Sequence, residues 1–315
     1  MVIATRLVWL LLLLTACSAG SSPSVTPAHA PAPTNSAAAS TAPSTVNPAP
    51  NAPPAAAPAF RPCGELDCKA FSSAQAALEH VLAEQPRVLA VGEAHAQADG
   101  PRARSTTRRF MDDLLPGLAP RASDLVIELW IANGACGKVE RKVQQQQQAV
   151  TAPQAVGNQG DFLELGHRAK ALAIQPQALV PSCEQYQVIA GAGAADIEAM
   201  LGMIKSVTLR DIEALLAKRA PDRLIVAYGG AMHNDVTPRP GREDFSFGPE
   251  LQKLTNGHYV ELDLIVPEQI KDSEAWRGLP WYAHYSREKA TKDAVLLSWA
   301  PHAYALFFPP GEGSP

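Results

Sequence analysis

The chain of 315 residues carries 27 Lys and Arg against 31 Asp and Glu, a formal net charge of −4, and 46% of its residues are hydrophobic. No basic run of consequence interrupts it, which argues against nucleic acid as a partner. From about Arg61 to Pro315 it is long enough to bury one large core.

In chain order, Arg6 gives a minimal positive region, and Leu7 to Leu14, with Trp9, form a short apolar stretch. That stretch falls short of the roughly 20 residues a spanning helix needs. Leu14-Thr15-Ala16-Cys17 then fits the lipobox of a bacterial lipoprotein signal, with small residues for the peptidase and a thiol to accept the lipid. An ordinary signal peptide, or a short anchor left uncut, is the plainer alternative. The expectation is export, with residues 1–17 as signal and lipobox and with the membrane as a partner through acyl chains on Cys17. Ser18 fits an outer-membrane destination, on the periplasmic or cell-surface side, under the familiar sorting rule.

Residues 18–60 contain ten prolines and no Asp, Glu, Lys or Arg. Such a stretch cannot bury enough apolar surface to offset its ordering entropy, so it is expected to be a disordered tether. The globular part is expected over 61–315. It holds four further cysteines, Cys63, Cys68, Cys136 and Cys183, which in an oxidising compartment allow two disulfides in any of three connectivities. A local Cys63–Cys68 bridge is favoured; zinc is the rival use of these thiols, although no C-x-x-C spacing supports it.

Strand-like runs lie at 87–91, 124–127, 178–180, 223–227, 258–266 and 294–299. Helical spacing is found at 104–115 and 161–173. Two helices are expected at 194–205 and 208–219, the second opened by the capping pattern Thr208-x-x-Asp211. The glutamine run 144–148 reads as an exposed low-complexity excursion. Apolar strands separated by helices predict an α/β domain: a largely parallel central sheet covered by helices on both faces.

Such a sheet binds ligands beyond the carboxyl ends of its strands. Three of these ends carry chemistry: Gly92-Glu93-Ala94-His95, Ile127-Glu128 and Tyr228-Gly229-Gly230-Ala231-Met232-His233. Two of them share the spacing Gly-x-x-His. Glu93 and His95, two apart, share one side of an extended backbone. Two imidazoles with one or two carboxylates suit a divalent transition metal with an open position for water. The metal would supply a hydroxide near neutral pH, and a carboxylate outside its shell a general base. The expected metal set is Glu93, His95, Glu128 and His233, with Glu93 and Glu128 catalytic.

These residues resemble the signature of the ChaN/erythromycin-esterase/Tiki superfamily, marked by paired Gly-x-x-His motifs with a Glu at a strand end between them. The resemblance spans about residues 85–270. It implies an α/β fold and a shared site, and among activities it offers haem binding in the ChaN type, metal-dependent peptidase activity in the Tiki and TraB branch, and opening of macrolide lactones in the erythromycin-esterase branch. The cofactor it implies is a divalent ion (Mn, Co or Zn) or haem, and the ligand a small molecule, a peptide or haem. For haem, His95, His233 and Tyr228 are the binding residues to consider.

Each residue also has a plainer reading. A lone His at a strand end is more often a hydrogen-bonded structural residue, and Glu128 could hold Arg108 or Arg109. His167 sits on a helical segment, and His258, His284 and His302 lack a companion pattern. Glu184 is a weak fourth carboxylate. The run from Val188 to Asp196 imitates a dinucleotide fingerprint, but Asp196 replaces its third Gly, so a loop before a helix is expected there. Neither G-x-S-x-G nor H-E-x-x-H occurs. A metal-dependent hydrolase, a haem- or metal-capturing binding protein, and an interaction domain with a degenerate site are the classes left.

Overall fold

The computed structural model describes residues 59–101, 103–192, 197–285 and 292–311. The signal, Cys17 and nearly all of the tether lie outside the described residues. Residues 54–315 constitute one compact unit in themselves.

Nine strands make one sheet: β1 (Arg61–Pro62), β2 (Lys69–Phe71), β3 (Val88–Glu93), β4 (Ala122–Trp130), β5 (Gln175–Leu179), β6 (Leu224–Gly230), β7 (Tyr259–Ile265), β8 (Ala294–Ala300) and β9 (Ala303–Phe307). Their order is β1-β2-β8-β9-β7-β3-β6-β4-β5. The run from β9 to β5 is parallel throughout, while β8, β2 and β1 pair antiparallel at the other edge. The fold is therefore mixed α/β with a mostly parallel sheet. All six expected strands are present, within a few residues at each end. The pairs β1–β2 and the strand β9 went unforeseen, because two- and three-residue strands leave no periodicity and Ala303–Phe307 alternates too weakly.

The helices are α1 (Ala74–Leu82), α2 (Thr106–Arg109), α3 (Leu115–Leu118), α4 (Lys138–Thr151), α5 (Asn158–Ala171), α6 (Cys183–Ala192), α7 (Ile197–Lys218), α8 (Gly248–Leu254) and α9 (Glu274–Arg277). Between α2 and α3 the backbone widens to a π-turn at Phe110–Leu114. Pro116 explains it: lacking an N–H, it cannot make the ordinary i→i−4 bond.

Three expectations are corrected. The two helices foreseen at 194–205 and 208–219 are one, α7, and Thr208 is a buried residue inside it and not a cap. Met200, Met203, Ile204, Val207, Ile212 and Leu215 keep one apolar stripe running through the supposed break, where neither Gly nor Pro stands. The glutamine run is not an excursion but the body of α4, since glutamine is a good helix former and Val143 and Gln146 are buried along it. Val188–Ala192 likewise belongs to α6 and not to a loop, while 193–196 lie outside the described residues.

Alternation along β3 feeds two apolar clusters. Leu89 and Val91 join one with Leu78, Phe110 and Leu165, whereas Val88 and Ala90 join another with Ile189, Met203 and Val207. The structure bridges Cys63 to Cys68 and Cys136 to Cys183, and the second bond ties the segment before α4 to the start of α6. No helix among the described residues is long and apolar enough to cross a membrane.

Candidate functional site

The parallel register brings the three strand ends into line. Glu93 on β3 lies opposite Gly230 on β6, and Ile127 on β4 lies opposite Tyr228. Glu128, one residue further on, therefore reaches across Gly229. A Cβ there would run into the Glu128 carboxylate. Gly92 stands inside β3. What demands glycine there is close approach: a Cβ would lie 2.5 Å from Asp263 Oδ1 and 2.7 Å from the Cα of Ala231.

Glu93 is buried and fully engaged. Its Oε1 faces His95 Nδ1 at 3.0 Å, and its Oε2 accepts from the Thr107 hydroxyl at 2.8 Å and from the Tyr228 hydroxyl in a short bond. It therefore orients His95. Tyr228 is buried between Phe110 and Phe162, at ring-centroid distances of 4.6 and 5.8 Å, and its hydroxyl serves Glu93. Burial first, and then the Glu93 charge, hold its phenol well above the ordinary tyrosine range.

His233 follows β6 in a 3-10 turn, Ala231–His233, and is buried. Its Nδ1–H donates to the Phe245 carbonyl at 2.7 Å, the tautomer that leaves Nε2 as the free lone pair. His95 Nε2 and His233 Nε2 each lie 3.9 Å from Glu128 Oε1, while Glu128 Oε2 accepts from the Gly230 N–H at 2.6 Å. Burial opposes the Glu128 charge, but His233, His95 and the Gly230 N–H outweigh it and pull the carboxyl down to about 2. Burial likewise opposes a charged His95, yet Glu128 and Glu93 raise it to about 10. Near neutral pH the site thus holds a carboxylate beside an imidazolium.

Three of the four expected metal ligands therefore converge, and the fourth supports one of them. The donor set of two imidazole nitrogens and a carboxylate oxygen fits a divalent ion in kind, and each ring is turned by an acceptor on its other nitrogen, as ligating histidines are. At the side-chain positions described, no group of three or more His, Cys, Asp and Glu residues is drawn close enough to hold a metal ion.

The plainer readings resolve as follows. Arg108 pairs with Asp161 at 2.7 Å and Arg109 with Glu268 at 3.5 Å, so neither is held by Glu128. His284 meets Glu65 and His302 meets Glu84, both at 2.6 Å and away from the site. His167, His258 and Glu184 lie exposed on the surface.

Sequence reasoning missed four contributors. Thr107 and Phe162 have no motif to mark them. Glu261 and Asp263, by contrast, left a signal: two carboxylates alternating with apolar residues in a strand buried along its whole length. They stand beside Asp235 and Asn234. Val236 N–H donates to Glu261 at 2.6 Å, and Asn234 Nδ2 donates to Asp263 at 3.1 Å. Burial, and then neighbouring carboxylates, push Glu261 and Asp263 up, while burial takes Asp235 to about 6 against the pull of Arg239 and Arg242.

Both groups open onto one cavity of about 1120 Å³. Its walls include Trp130, Phe162, Met200, Leu264 and Trp276, together with the Gln144, Gln147 and Gln148 face of α4.

No family model matches the chain. No curated protein matches it either. Among solved structures it is similar to one described as "The structure of the type III effector HopBA1", at 10% identity and a TM-score of 0.39, over 76% of this chain and 94% of that one.

Proposed function

We propose that the chain is a hydrolase of peptide or ester type, acting at the site formed by His95, Glu128 and His233. The observation that carries the reading is the pair of fixed imidazoles: Glu93 turns His95, and the Phe245 carbonyl turns His233, so that both Nε2 atoms face one carboxylate at 3.9 Å. The ChaN/Tiki resemblance belongs to this reading. So does a sheet covered by helices on both faces, which the alternation of β3 between two apolar clusters supports.

His95 and His233 would hold a divalent ion of the Mn, Co or Zn type, with Glu128 beside it. When bound, it would supply a Lewis acid and a water of lowered pKa. Glu93 keeps the His95 ring in one orientation, and Thr107 and Tyr228 keep Glu93 in place. Glu128 is the carboxylate positioned to take a proton from the attacking water. Glu128 is then placed to return that proton to the leaving group. The apolar walls exclude bulk water and so strengthen each of these interactions.

Haem capture has less support. Tyr228 does not reach the cavity, and Arg239 is the one Lys or Arg lining it among the described residues, a poor match for two propionates. Export and lipid anchoring through Cys17, with an outer-membrane destination, complete the proposal.

The test is elemental analysis of protein purified without chelator, beside a panel of peptides and esters. Stoichiometric metal and turnover, both lost in His95→Ala and His233→Ala, are the expected result. Protein that takes up haemin with a defined Soret band and cleaves nothing would overturn it.

A further inference from the structure

The rim of the cavity differs from the rest of the surface. Eight large hydrophobic residues are markedly exposed among the described residues, and four of them, Ile131, Val156, Leu163 and Ile197, line this one cavity. Exposed apolar side chains scattered singly need no explanation; a cluster around the mouth of a cavity marks a ligand. Behind the rim the apolar lining continues through Leu201, Ile204, Leu129 and Leu264 to His95 and Glu128. At about 1120 Å³ the space exceeds the roughly 300–1,000 Å³ of a drug-sized ligand site.

Charge narrows the ligand further. Glu93, Glu128, Asp235, Glu261 and Asp263 line the cavity, against Arg239 as the one Lys or Arg among the described residues. Away from His95, which already faces two carboxylates, an anionic head group would find only Arg239 to pair with. Gln144, Gln147 and Gln148 instead present amides, on one face of α4, which donate and accept without charge.

We infer that the substrate is an uncharged acyl ester with a medium or long chain: the chain lies along the apolar walls, and the neutral polyol-like head meets the glutamine face. The inference rests on the hydrolase reading above. Water adds to the ester carbonyl carbon as a proton passes to Glu128. The bond between that carbon and the alcohol oxygen then breaks, and the alcohol leaves with the proton that Glu128 took up. The products are a fatty acid and the free alcohol. Once ionised, the acid is repelled by the Glu128 carboxylate beside it and leaves.

The experiment uses the full chain and monoacylglycerols of four to ten carbons, kept below their micelle concentrations. Binding is read by displacement of the neutral dye N-phenyl-1-naphthylamine, and cleavage by release of glycerol. Affinity is expected to rise about fourfold per added methylene, as complete burial of each group would give. The fatty acid of equal length should bind at least tenfold more weakly. Leu163→Glu and Ile131→Glu, both at exposed positions and so compatible with folding, should each weaken ester binding tenfold or more. Equal affinity for all chain lengths, equal binding of acid and ester, or indifference to both rim variants would overturn the inference. Cleavage of the shortest ester as readily as the longest would also overturn it while leaving the hydrolase reading intact. Chain-dependent binding without cleavage would refute the hydrolase reading and with it the ester as substrate.

Discussion

Two groups of carboxylates open on the same cavity and behave in opposite ways. Glu128 sits between two imidazoles and beneath a backbone N–H, and its carboxyl is pulled down to about 2. Glu261 and Asp263, on β7, have only single amide donors and one another, and both are pushed up. Burial acts on all three in the same direction. The partners decide the outcome: two imidazoles and a backbone N–H make a buried carboxylate an anion ready for chemistry, whereas neighbouring acids turn a buried carboxyl into a neutral wall. The Gly-x-x-His spacing matters because it supplies those rings.

The comparison predicts unequal consequences for isosteric changes. Glu128→Gln removes the anion that both histidines face, and hydrolysis should fall by about 10²–10⁴-fold. Glu93→Gln leaves the ring in place but loosens its support, with a loss of about 10–100-fold expected in rate or metal affinity. Both are read as initial rates on a substrate identified from the panel above.

Asp263→Asn and Glu261→Gln should leave activity close to that of the parent and change the pH dependence of stability instead. A carboxyl raised on folding binds its proton more tightly in the native state. Stability is therefore present at low pH and lost as pH rises from the unfolded values, 3.8 for Asp263 and 4.5 for Glu261, through the raised ones. Each substitution should flatten that alkaline decline in a series of thermal melts. If the decline persisted in both variants, the contrast between the two clusters would fail. The smallest effect belongs to Gln148→Ala, on the exposed face of α4, which should stay within about 0.5 kcal/mol in denaturant titration.

The strands that bear the site were legible because they are long and apolar, and because β3, β4 and β6 each end on a charged or glycine-rich turn. Convergence of Glu93, His95, Glu128 and His233 could be inferred from strand ends alone. Their division of labour could not. Nothing in the spacing says that Thr107, 14 residues away, and Tyr228 occupy one Glu93 oxygen while His95 takes the other. The glutamine run misled for a related reason: composition marks it as low complexity, while only the positions of Val143 and Gln146 show that one face of a helix is buried. Likewise Thr208 satisfied a capping pattern that the apolar stripe of α7 overrode.

The most direct test of the shared site is a titration of the imidazole nitrogens by ¹⁵N NMR, on chelator-treated protein and on its Glu128→Gln variant. A histidine raised on folding contributes stability fully below its ordinary 6.5 and loses it as pH rises through the folded value. His95 is therefore expected to stay protonated to about 10 in the parent, and to titrate far closer to 6.5 once Glu128 is neutral. His233 should carry its proton on Nδ1 when neutral. Titration of His95 near 6.5 in both proteins would mean that Glu128 and His95 do not share a site.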